Sequence, residues 1–124
     1  MVNNNLLYAG AFFTGLWGMA HLFPTKSIVE GFGGISQDNR HIITMECIVE
    51  GISLIFIGVL VTVVTIIDHS SLAAKGVYWV CFTELIVLSI VSFFTGFKVN
   101  FLPFKLCPVI FTASSILLLL GILL

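Results

Sequence analysis

The run His41-Ile-Ile-Thr-Met-Glu46-Cys47-Ile-Val-Glu50-Gly51-Ile-Ser53-Leu-Ile-Phe-Ile-Gly58-Val-Leu-Val-Thr-Val-Val-Thr-Ile-Ile67 is continuous, apolar and closed by Asp68-His69-Ser70-Ser71. It exceeds the roughly 20 helical residues needed to cross about 30 Å of hydrocarbon. It is also too long and too evenly apolar for a barrel strand, which alternates in about ten residues. A membrane helix over 41–67 is the reading it imposes.

Three further runs have the same character: Leu6 to Phe23, stopped by Pro24; Gly76 to Phe97; and Cys107 to Leu124. Short connections between consecutive helices favour antiparallel neighbours. The expected fold is therefore all-α: an integral membrane four-helix bundle, up-down-up-down, with residues 1–124 as one transmembrane domain. Gly18-Met19-Ala20 could pass for a signal-peptidase site, but no positive n-region precedes it, so the first run is expected to stay as a helix.

Composition agrees. Of 124 residues, 59% are hydrophobic and 9% charged, and mean hydropathy is +1.18, against roughly 25% charged in soluble chains. A water-soluble domain this small buries only about 60% of its unfolded surface and could not hide so much apolar area. The formal charge of −1 without a basic run excludes nucleic acid as partner. Cys47, Cys81 and Cys107 form no Cys-x-x-Cys pair, which points to packing rather than zinc or thiol redox chemistry.

Residues 24–40 make the one substantial loop. Ser27-Ile-Val-Glu30 has capping-box spacing, and Gly31, Gly33 and Gly34 end any helix there. A short interfacial helix is expected, acting as a lid or as a plain connector. Loops 24–40 and 98–106 hold Lys26, Arg40, Lys98 and Lys105 against Lys75 on the other side, so the positive-inside rule places those loops in the cytoplasm. Gly10, Thr14 and Gly18 on the first helix, and Gly51 and Gly58 on the second, are spaced for close helix contact.

Four ionisable side chains fall inside the runs: His21, Glu46, Glu50 and Glu84. Each costs about 2.5–3.5 kcal/mol at a helix centre on insertion scales, so such groups face inward and mark sites. At about 1.5 Å per residue, Glu50 and Glu84 come out at similar depth. Glu46, Glu50 and Ser53 share one side of their helix, and Trp17 and His21 share a stripe with Gly10 and Thr14. Two or three carboxylates cannot share a low-dielectric interior, so one is expected to carry a proton.

The expected site is an acid-lined pocket reached from the loop-one side. It binds or moves a small lipophilic or cationic ligand, or a quinone, with proton exchange at Glu50 and Glu84. Glu46 and His21 relay the proton and Trp17 lines the entrance. Against this stand neutral glutamic acids that merely tie helices together, and an accessory or assembly subunit of a larger membrane complex or homo-oligomer. The same side chains could ligate a metal, but neither paired Glu-x-x-His nor His-Glu-x-x-His occurs. A membrane enzyme acting on a lipid or quinone stays open, without a nucleophile motif behind it, and the cofactor stays unassigned.

One family pattern resembles the first half of the chain. Gly15-Leu-Trp-Gly-Met-Ala-His21-Leu-Phe-Pro24, then Glu30-Gly-Phe-Gly-Gly34, then Glu50-Gly-Ile-Ser-Leu-Ile-Phe-Ile-Gly58 looks like DoxX-like small membrane proteins. The resemblance implies a four-helix bundle with a glycine-rich first helix, a short helical loop and an acid early in the second helix. It places functional polar residues at Glu50 and, less directly, His21. Some members of that group are linked to quinone-dependent oxidation of sulfur compounds as membrane subunits. The chain departs from any thiol-redox role in lacking a cysteine pair.

Overall fold

The computed structural model describes residues 2–124. Among the described residues the chain is all-helical, without strands: α1 (Asn4–Leu22), α2 (Thr25–Gly31), α3 (Gln37–Asp68), α4 (Leu72–Thr95), a 3-10 turn (Gly96–Lys98) and α5 (Leu102–Leu123). Helices α3, α4 with its 3-10 extension, and α5 are each long and apolar enough to cross a membrane. The bent pair α1–α2 passes the same test taken together.

The helices start earlier than hydropathy alone indicates, because polar side chains cap them. Asn3 Oδ1 accepts from Leu6 N–H, Ser36 Oγ from Asn39 N–H, and Ser71 Oγ from Ala74 N–H. Each satisfies a backbone donor that has no partner within the helix. The expected fourth helix began at Cys107. In the structure α5 opens at Leu102 and runs straight through Pro108. Pro108 has no N–H to offer the carbonyl of Phe104, and Gly96 packs against that carbonyl so tightly that a methyl there would lie 2.5 Å from it.

The expected capping box is also corrected. α2 begins at Thr25, with Pro24 before it and no side-chain cap, so Ser27 and Glu30 lie within the helix. The axis turns by 52° between α1 and α2. Thr25 Oγ1 donates to the carbonyl of His21 across this elbow, at 3.0 Å. Gly33 holds φ at +69°, a left-handed conformation that favours glycine, and turns the chain toward α3.

α1 packs extensively against both α3 and α5, and α4 packs against α5, whereas α3 and α4 touch only slightly. Small residues set the α1–α3 distance. A methyl on Gly18 would meet Gly51 O at 2.6 Å, and one on Gly58 would meet Ala11 O at 2.7 Å. On the other side of α1, Gly10 faces Leu118 and Gly121 faces Leu7, while Asn3 N–H donates to Gly121 O at 2.8 Å. Leu7, Leu54, Tyr78, Leu85, Phe111 and Leu118 fill the centre. The interior is mainly apolar, with Thr14, Thr65, Ser114 and Ser115 as its buried serine and threonine hydroxyls within the long helices. Its threonine hydroxyls donate to carbonyls four residues back, Thr14 to Gly10 and Thr65 to Val61. Ser115 donates to Thr112 three back, while the Ser114 hydroxyl has no partner among the described residues.

Candidate functional site

His21 sits one turn before the elbow, on the part of α1 that faces both α3 and α5. Its imidazole Nε2 lies 3.5 Å from Glu50 Oε1 on α3 and 3.7 Å from Cys107 Sγ on α5. Nδ1 lies 2.9 Å from the carbonyl of Trp17. A carbonyl only accepts, so Nδ1 carries a hydrogen and the tautomer follows. Nε2 is then either a bare acceptor facing a protonated Glu50, or the second N–H of an imidazolium facing a carboxylate. One proton is thus shared between two side chains that approach from different helices.

Burial separates the partners. The His21 side chain is 10% exposed and that of Glu50 is 40% exposed, so Glu50 opens the pair to one side. Cys107 is buried, and its thiol also contacts the carbonyl of Pro103 at 3.5 Å. The Trp17 ring meets the imidazole edge to face, with centroids 5.6 Å apart. Its indole N–H is buried and has no acceptor among the described residues.

Trp17, His21 and Cys107 help wall a half-open cleft of about 190 Å³ in the angle of the elbow, with Glu50 behind His21 and outside the lining. Trp17, His21, Pro24 and Ile28 line one side, and Pro103, Phe104 and Cys107 the other. A second hollow, of about 470 Å³, continues past Ile28 and Phe104 toward Phe32 and Phe101. The lining is aromatic and aliphatic with a few polar atoms, the usual make-up of a small-molecule site.

Of the residues singled out from sequence, the structure brings together His21, Glu50 and Trp17. It does not bring Glu46 or Glu84 to them. Both are exposed, Glu46 on α3 and Glu84 on α4, and neither forms an ion pair or side-chain hydrogen bond among the described residues. Counting about 1.5 Å per residue from the α3–α4 turn, Glu84 lies roughly 18 Å up its helix and Glu50 roughly 27 Å up the other. The equal depth expected for them fails because the apolar run of α3, residues 41–67, is about 40 Å long at about 1.5 Å per residue. It overshoots a slab of about 30 Å and carries Glu50 further from the turn. Ser53, expected on the polar stripe, is exposed and gives its hydroxyl to Val49 O.

Sequence reasoning passed over Cys107, reading it as packing, and with it the contribution of α5. The helix is apolar on every side, so nothing in its pattern shows which face meets His21. Among the described residues no three His, Cys, Asp or Glu side chains converge to hold a metal ion.

Fold and site together define an all-helical protein whose apolar helices have membrane-spanning length and are bridged by a half-buried histidine–carboxyl pair. Comparison of the chain with protein-family models, with curated proteins and with solved structures finds no match.

Proposed function

We propose that the chain is a multi-pass integral membrane protein, a four-helix bundle of α1–α2, α3, α4 and α5, that binds a small lipophilic ligand in the elbow cleft and exchanges a proton with it through His21 and Glu50. The membrane reading is supported by the long apolar helices and by the many large apolar side chains turned outward, such as Phe12, Phe56, Val80 and Phe94, each more than half exposed. In water such a surface would aggregate. In lipid it is ordinary.

The observation that carries the site is His21 bridging Glu50 and Cys107 at the wall of an apolar cleft. A ligand with a carbonyl head group suits it best. The Trp17 indole N–H at the cleft wall is buried and lacks an acceptor among the described residues, an omission costing about 1–3 kcal/mol. A carbonyl oxygen would supply one once the ring turns toward the cleft. The His21–Glu50 pair stands beside it to give or take a proton, so a quinone-like molecule fits the donor set and the aromatic walls. This agrees with what the DoxX-like resemblance implies for Glu50 and His21. Loops 24–40 and 98–106 lie at the same end of the bundle as the cleft, and the lysine and arginine distribution assigns that end to the cytoplasm.

The experiment is native mass spectrometry from mild detergent, with wild type beside Ala20→Phe, which fills the cleft that Ala20 lines next to His21, and Glu50→Gln, which removes the carboxylate. A discrete adduct should appear on wild type and vanish from Ala20→Phe. In Glu50→Gln it should persist but lose its dependence on pH. An adduct indifferent to Ala20→Phe, or pH-dependent binding unchanged in Glu50→Gln, would overturn the site.

A second reading, a subunit of a larger membrane assembly, draws on a separate observation: Glu46 and Glu84 lie uncovered on α3 and α4.

A further inference from the structure

α4 has two edges beside its buried stripe. Ser89, which contacts Thr112 and Pro108 of α5, marks the edge toward α5. Glu84 lies about 140° away from Ser89 at 100° per residue, on the other edge. That edge faces α3, because Val77, seven residues before Glu84 and within about 20° of it, lines the crevice with Val64 and Ile67 of α3. Val64 in turn belongs to the α3 row that carries Ile57 and Glu50 at seven-residue steps, with Glu46 and Ser53 just outside it.

The two edges meet near the turn, where Thr65 and Tyr78 hydrogen-bond at 3.0 Å. Contact between α3 and α4 is otherwise slight, and Glu84, Glu46 and Ser53 are all exposed. Above the turn, then, the bundle presents an unfilled seam between α3 and α4. Carboxyls line it from Glu84, roughly 18 Å up, to Glu46, roughly 33 Å up.

We infer that this seam receives a transmembrane helix of a different protein that carries a lysine or arginine near the middle of its span. The inference rests on the membrane reading above. A carboxyl left against lipid tails is costly and is found paired or facing a protein interior. This chain cannot supply the cation: Lys26, Arg40, Lys75, Lys98 and Lys105 all lie in loops or in the end turns of helices, so a second copy brings none to the level of Glu84. The acids are spread over about 15 Å along the seam, with Val80, Val87 and Val91 exposed beside Glu84 on α4. An elongated apolar surface with charges in a line matches a helix rather than a compact cation.

The test uses the full chain, labelled at its N-terminus and reconstituted in phosphatidylcholine vesicles. Resistance to alkaline extraction is checked first. Energy transfer is then measured to acceptor-labelled Leu/Ala peptides of about 20 residues, one with a single central Lys and one without. The Lys peptide should associate at least about tenfold more tightly, and Glu84→Gln should erase that advantage while Lys75→Gln leaves it intact.

Extraction of the chain by alkali would overturn the membrane reading and the inference with it. An inserted chain that binds both peptides equally, or whose preference survives Glu84→Gln, would overturn the inference alone. So would Glu84-dependent energy transfer between two labelled copies of the chain, which would assign the seam to self-association.

Discussion

Alanine at Gly18 and at Gly15 should have opposite consequences, although the two glycines lie three residues apart on one helix. A methyl at Gly18 would sit 2.6 Å from Gly51 O, 2.8 Å from Ile55 N and 2.9 Å from Ile55 Cγ1, and at Gly15 it would meet nothing within 4 Å. Two of the Gly18 neighbours are backbone atoms of α3 and cannot rotate away. Ordinary contact begins near 3.4 Å, so α1 and α3 must separate by roughly 0.8 Å at this point. A radial gap of 0.5–1 Å forfeits about a quarter to a half of each dispersion well across the contact. This is the most extensive helix pair in the molecule.

Overpacking of this kind costs about 1–3 kcal/mol. At Gly15 only the helix-propensity gain of alanine remains, up to about 1 kcal/mol in favour of the folded state. The assay is reversible unfolding in mixed detergent micelles, titrating sodium dodecyl sulfate and following helix content and Trp17 emission in a Trp79→Phe background. Gly18→Ala should unfold at lower denaturant fraction, Gly15→Ala at equal or higher. Gly51→Ala should resemble Gly18→Ala, because its methyl would meet Gly18 O at 2.9 Å. The double variant should cost less than the sum, since the first methyl has already opened the contact. Equal effects at Gly15 and Gly18, or full additivity of Gly18 and Gly51, would refute the claim that backbone approach sets the α1–α3 distance.

Thr65→Val should destabilise more than Tyr78→Phe. The first leaves the Tyr78 hydroxyl without a partner inside a fully buried residue, at about 1–3 kcal/mol; the second removes only one of the bonds that Thr65 makes, at about 0.5–1.5 kcal/mol. The same detergent titration orders them. Gly33→Ala should cost about 1–2 kcal/mol locally, because φ is +69° there. Faster amide exchange over residues 33–40, without a change across α4, is the expected reading. Of the thiols, Cys47 should react first with a lipophilic maleimide, Cys107 more slowly, and Cys81 last, following their exposure and the access that the elbow cleft gives Cys107. Tandem mass spectrometry of timed samples gives the order, and Cys81 labelled before Cys107 would show that the cleft is closed.

Much of this architecture was legible in one dimension. Continuous apolar runs longer than a membrane is thick specify helices whatever they pack against; Pro24 ends one by lacking a donor, and Asp68 ends another by accepting from the N–H groups of Ser70 and Ser71. His21, Glu50 and Trp17 announced themselves through the cost of placing polar atoms in such runs. Helix starts were harder to read, because Ser36 and Ser71 extend α3 and α4 by capping, a local effect that hydropathy does not register.

What the sequence by itself could not determine was which faces meet. α5 is apolar all round, so only packing against Gly10 and Leu7 turns Cys107 toward His21. The carboxyls looked alike as a list, but the slight contact between α3 and α4 separates them, bringing Glu50 to His21 and leaving Glu46 and Glu84 on an open seam. Periodicity fixes where a side chain lies around its own axis. The direction of that axis, and the neighbour it finds, follow from the fit of small residues between helices, a property of pairs of helices and not of any one segment.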